Sequence, residues 1–144
     1  MTLPLVRAAL LAATLGVSLP QSAAARDDVP DDIAALANPA GELSARDVRY
    51  FQKQFKAQCA RCHGQDGSGG GEEAEAQAVP PANFTDAAHM AGRSDGQLYY
   101  QILAGGGEVC AMPAFGPGTD HNWNEDKIWR MVAFVRRFSQ PPTD

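Results

Sequence analysis

Cys59, Ala60, Arg61, Cys62 and His63 form a C-x-x-C-H run, and no other segment constrains the chain as tightly. Two thiols three positions apart can reach the two vinyl groups of one porphyrin and form thioethers. The histidine directly after the second thiol then lies under the iron and can bind it. The run therefore implies one covalent c-type haem, held by Cys59 and Cys62, with His63 as an iron ligand. Two other chemistries use the same residue types. A redox dithiol expects a βαβ pattern around C-x-x-C, and no strand-rich run precedes Cys59. Zinc could draw on Cys59, Cys62, His63 and Cys110, but adjacent Cys62 and His63 converge poorly on one tetrahedral ion from a helical turn.

The chain has 144 residues, enough for one domain. Residues 1–25 read as a cleaved export signal. Arg7 supplies the positive start, residues 8–19 are a short apolar stretch, Pro20 breaks it, and Ala23-Ala24-Ala25 offers the cleavage site. A membrane anchor would need about 20 apolar residues, so no stable membrane insertion is expected. Haem is joined to C-x-x-C-H outside the cytoplasm, so signal and motif both point to the periplasm. Cleavage would remove Arg7 alone among the charged residues and take the net charge from −5 to −6. Such a balance argues against nucleic acid or an acidic membrane surface as partner.

Residues 26–43 are rich in Asp, Ala and Pro and read as a flexible acidic leader with a short turn of helix. The first firm helix starts at Ser44, with Ser44 and Asp47 as a capping box. Val48, Phe51, Phe55 and Cys59 recur on one helical face, Cys62 extends that face, and Gly64 ends it. Residues 65–81 form a glycine-rich loop that lacks the Lys-Ser/Thr ending of a phosphate cradle. A second helix opens on a Ser94–Gln97 capping box and stops at Gly105-Gly106-Gly107. A third opens near Asn122 or Asn124, with Asn122 and Glu125 as a further capping box. It buries Ile128, Met131, Val132, Val135 and Phe138, and Arg136 and Arg137 complement its C-terminal dipole. No alternating strand run occurs, so the expected class is all-α, with three main helices and long loops.

A haem iron has a second axial position, and Met112 is the candidate for it. It sits in the loop between the second and third helices, stiffened by Pro113. Met90 and Met131 read as core or loop fillers, and His89 and His121 as surface residues near helix starts. Met/His ligation would raise the reduction potential.

The C-x-x-C-H helix, the Pro80-Pro81-Ala82-Asn83-Phe84 segment, the Met112-Pro113-Ala114-Phe115 run and the aromatic C-terminal helix together resemble class I cytochromes c over residues 44–139. The resemblance implies a cytochrome c-like fold wrapped round one haem c and its iron. It implies that the first and last helices cross, bringing Phe51 and Phe55 towards Trp129, Val132 or Phe138. It also implies that a proline carbonyl, Pro80 or Pro81, accepts a hydrogen bond from His63; Pro81 is taken as the cofactor contact. The implied function is one-electron transfer, without enzyme activity, between redox partners such as a periplasmic dehydrogenase and a terminal oxidase or reductase. The chain would act as a monomer or as a subunit. Lys53, Lys56, Arg61 and Arg93 are expected to form a basic rim that steers a partner. Cys110 lies outside the family pattern and reads as a small buried residue, with a disulfide-linked dimer or a redox-sensitive thiol as the alternatives. A haem sensor or enzyme with an open iron site is the rival reading, and it requires Met112 to be off the iron. The expected organisation is signal 1–25, leader 26–43, haem domain 44–139 and tail 140–144.

Overall fold

The computed structural model describes residues 28–140. The expected export signal and residues 141–144 of the tail lie outside the described residues. Every regular element within them is helical. The α-helices are α1 (Asp31–Ala34), α2 (Ala45–Gln58), α3 (Ala60–His63), α4 (Ala87–Ala91), α5 (Asp95–Ala104) and α6 (Glu125–Arg136), with 3₁₀ turns at Ala74–Ala76 and Arg137–Ser139. None of these helices is long and apolar enough to cross a membrane.

Local chemistry sets most of the helix starts. The Ser44 hydroxyl accepts from the Asp47 N–H at 3.1 Å, and the Asp47 carboxylate accepts from the Ser44 N–H at 3.2 Å. Ser94 and Gln97 repeat this box at the start of α5, at 3.1 and 2.9 Å. The start of α6 differs from expectation. Asn124 is its cap, accepting from the Lys127 N–H at 2.9 Å. Asn122 is instead left-handed (φ 47°), and its side-chain oxygen accepts from the Gly118 N–H at 3.1 Å. The turn before the helix claims Asn122, so no Asn122–Glu125 box forms.

α2 and α6 cross, and their apolar faces make the core. Phe51 and Phe55 are buried with Ile128, Met131, Val132 and Val135. The Phe55 ring lies 5.0 Å from Phe138 and 5.8 Å from Phe134, centroid to centroid. The buried arc of α6 is wider than a single stripe, because α5 packs on a second side of it. There Tyr99 stacks on Trp129 at 4.1 Å.

The segment expected as a loose leader is folded against this body. Ile33 packs on the core. The Ala34 carbonyl accepts from the Ser94 hydroxyl at 2.6 Å, and the Asn38 amide donates to the Trp129 carbonyl at 2.9 Å. These long-range contacts replace the flexibility that the Asp- and Pro-rich composition suggests. Arg136 likewise does more than complement a dipole. It reaches back to Asp95 at 2.9 Å and to the carbonyls of Met90 and Arg93, tying the end of α6 to the α4–α5 turn.

α1 approaches α5 closely only because residue 96 is glycine. A Cβ there would lie 1.8 Å from the Ile33 carbonyl oxygen. Gly96→Ala should therefore destabilise the fold by about 1–3 kcal/mol, although alanine gains about 1 kcal/mol of helix propensity. Residues 28–43 should also become the first site of limited proteolysis. An unchanged digestion pattern and denaturation midpoint would show that this contact does not hold the segment.

Candidate functional site

The C-x-x-C-H run does not simply extend α2. α2 ends at Gln58, Cys59 leaves helical geometry at φ −119°, and α3 resumes at Ala60. The break gives Cys59 a different orientation from a continuous helix. Cys59, Cys62 and His63 all line one cleft. Gly64, at φ 77°, closes the turn.

The loop after Gly64 caps the end of α3. The N–H groups of Gly69, Gly71 and Glu73 donate to the carbonyls of His63, Cys62 and Arg61 at 2.8, 3.1 and 2.8 Å. Those carbonyls have no partner within a helix that stops here. A Cβ at Gly71 would lie 2.3 Å from the Arg61 carbonyl oxygen, so only glycine permits this approach. The glycine-rich loop therefore positions the haem motif. Its signal in the sequence is the cluster of glycines at 67, 69, 70 and 71.

The His63 ring is held on two sides. Its Nδ1 lies 3.1 Å from the Ala82 carbonyl, and its face stacks on Phe84 at 4.6 Å and 19°. A carbonyl only accepts, so Nδ1 carries a proton, and in the neutral ring Nε2 keeps the lone pair. Burial pushes the His63 pKa down, against the Ala82 hydrogen bond, which raises it. A neutral ring with a free Nε2 lone pair is the form that binds a metal. The expected Pro80 or Pro81 carbonyl does not fill this role. The Pro81 carbonyl is turned onto Gly69, where a Cβ would meet it at 2.7 Å. Carbonyls alternate in direction along an extended chain, so the next residue, Ala82, faces the ring. Pro81 still lines the cleft.

The cleft has a volume of about 330 Å³, within the range of about 300–1,000 Å³ usual for cofactor sites. Phe55, Phe84, Leu98, Ile102, Phe115 and Val135 give it apolar walls, and Met112 joins its lining. The Met112 sulfur accepts from the Gln101 side-chain amide at 3.6 Å. Burial, then the neighbouring Cys62, pushes the Cys59 thiol up to about 12, and burial followed by Glu73 raises Cys62. A redox dithiol needs a lowered thiol pKa, so these cysteines are poor candidates for exchange chemistry. Among the described residues no three His, Cys, Asp or Glu side chains gather to hold a metal ion, so the four candidate zinc ligands are not assembled.

Other residues depart from expectation. His89 and His121 are half-buried and line the cleft, and His121 stacks on Phe115 at 4.1 Å. Cys110 is also half-buried at the cleft, against Gly106. Arg61 and Arg93 line the cleft, but Arg61 pairs with Glu73 at 3.2 Å. Lys53 and Lys56 lie on the exposed side of α2, away from the lining.

The residues present fit a c-type haem. Two thiols and a neutral imidazole share an apolar cleft, and a soft thioether lines it as well. Residues 46–135 match the family model described as cytochrome C oxidase, cbb3-type, subunit III. No curated protein matches the chain. Among solved structures, the chain is similar to the Kuenenia stuttgartiensis reducing HAO-like protein complex Kustc0457/Kustc0458. That likeness has a TM-score of 0.53 and 24% identity, covering 67% of this chain and 46% of that one, so the chain spans less than half of that neighbour. It is also similar to KustC0563 c-type cytochrome, at TM-score 0.47 and 27% identity over 62% of this chain and 96% of that one. The chain belongs to the family of the cbb3-type oxidase subunit III model, as a class I c-type cytochrome with covalently bound haem c and its iron. It is a haem-binding electron carrier.

Replacing both Cys59 and Cys62 by Ala should leave the protein without covalent haem, read as the apo mass under denaturing mass spectrometry. Either single replacement should leave one thioether. Cys110→Ala should keep the haem, the spectrum and the oligomeric state. Loss of covalent haem on changing Cys110 alone would contradict this division of roles.

Proposed function

We propose that this chain is a periplasmic one-electron carrier whose haem, attached through Cys59 and Cys62, is ligated by His63 and Met112. The observation that carries this reading is the pairing of a neutral His63, its Nε2 free, with the Met112 thioether in one apolar cleft. The bound haem supplies the one-electron couple. The protein's own residues do the rest. The Ala82 carbonyl and Phe84 orient the imidazole, the cleft walls exclude water, and Met112 fills the position a substrate would need. With His63 and Met112 both holding the iron, no substrate would reach it, and the chain would act as a carrier rather than an enzyme.

His89 and His121 also line the cleft, which gives a bis-histidine reading one supporting observation. The loop that carries Met112 is fastened by backbone hydrogen bonds to the end of α5, which favours Met112 instead. The periplasmic assignment rests on the signal-like residues 1–25 and on the motif itself. The donor and acceptor are redox proteins. The family description names an oxidase subunit, which makes a place within a larger respiratory assembly the alternative to a free carrier. Co-purification separates the two.

Met112→Ala tests the ligand directly. The oxidised wild type should show the weak long-wavelength band of Met-ligated ferric haem, and the variant should lose it. The variant should also have a lower reduction potential and bind carbon monoxide when reduced, which the wild type should not. A wild type without the band, or one that binds carbon monoxide readily, would place another group or none at the second axial position.

A further inference from the structure

One polar contact in the cleft has no part in haem attachment or in holding His63. Gln101 stands on the last turn of α5, and its Nε2 lies 3.6 Å from the Met112 sulfur. A thioether sulfur has lone pairs and no hydrogen, so the amide is the donor. The contact is built into the backbone. After α5 ends at Gly105, the chain folds back onto the turn that carries Gln101. The Met112 carbonyl accepts from the Gly106 N–H at 2.8 Å, and the Phe115 and Gly116 N–H groups donate to the Ile102 and Leu103 carbonyls at 3.0 Å each. A Cβ at Gly105 would lie 2.7 Å from the Met112 carbonyl oxygen, so loop and helix end are in direct contact. Donor and sulfur are therefore fixed to one unit. Gln97, one turn earlier, also lines the cleft; its side-chain oxygen accepts from the Ser94 N–H, and it is the Gln101 amide nitrogen that meets the sulfur.

We propose that Gln101 is a positioning residue for the second axial ligand. Its amide takes one lone pair of the Met112 sulfur, leaves the other for iron, and draws electron density from the sulfur. The inference rests on Met112 ligation as proposed above. A less electron-rich sulfur supports the ferric state less well than the ferrous state, so the contact raises the reduction potential. It also holds the thioether in place against competing ligands.

Gln101→Leu keeps most of the side-chain volume and removes the donor, whereas Gln101→Ala removes both. Both variants should keep the long-wavelength band of the oxidised form and have a lower potential than wild type. Added imidazole should displace the methionine about threefold to tenfold more readily in both, the span of one ordinary hydrogen bond. A shift in Gln101→Ala with Gln101→Leu equal to wild type would assign the effect to packing and overturn the inference. So would an unchanged potential in both. The contact can also be read without mutation, as a nuclear Overhauser effect between the Gln101 amide and the Met112 methyl in the reduced wild type. Its absence overturns the inference even where a variant fails to fold. A wild type lacking the band would instead remove the Met112 ligation on which the inference stands.

Discussion

The His63 imidazole must stand in one orientation, with one nitrogen free, before any other part of the site can work. The Ala82 carbonyl binds the far nitrogen and Phe84 covers the face, so both tautomer and tilt are set by the polypeptide. Those partners come from a stretch some twenty residues further on. That stretch can reach the ring because the glycine loop folds tightly over the end of α3 and caps its carbonyls. Haem motif, glycine loop and Ala82–Phe84 segment are thus one mechanical unit. The crossing of α2 and α6 supplies the rigid back against which it is built.

The Met112 side of the cleft follows a parallel logic. Three backbone hydrogen bonds fold the loop that carries Met112 onto the end of α5 and the turn that follows it. His63 is positioned by a carbonyl on an extended segment, and Met112, the proposed second ligand, by a helix end. Fixed geometry of this kind suits electron transfer, because little has to move when the iron changes charge. The remaining apolar residues line the cleft in which the haem would sit.

Much of this was legible in the sequence where the cause is local. C-x-x-C-H states its chemistry in five residues, and the boxes at Ser44 and Ser94 depend only on groups three positions apart. The reading failed where distant groups decide. The 28–43 segment looked loose because its contacts are with Gly96 and Trp129, remote in sequence. The choice of Ala82 over Pro81 depends on how the extended chain lies over Gly69, which composition cannot state. Asn122 was lost to a competing turn with Gly118. The break at Cys59 carries no glycine or proline to announce it. His89 and His121 looked like surface residues because the cleft that takes them in exists only after folding.

The most direct test of the account is a spectroscopic redox titration of the full, haem-loaded protein with and without carbon monoxide. A closed one-electron carrier predicts a single transition of one electron per chain, at the same potential in both cases. A potential that rises under carbon monoxide, with the spectrum of a gas-bound reduced haem, would contradict it and identify an open iron site.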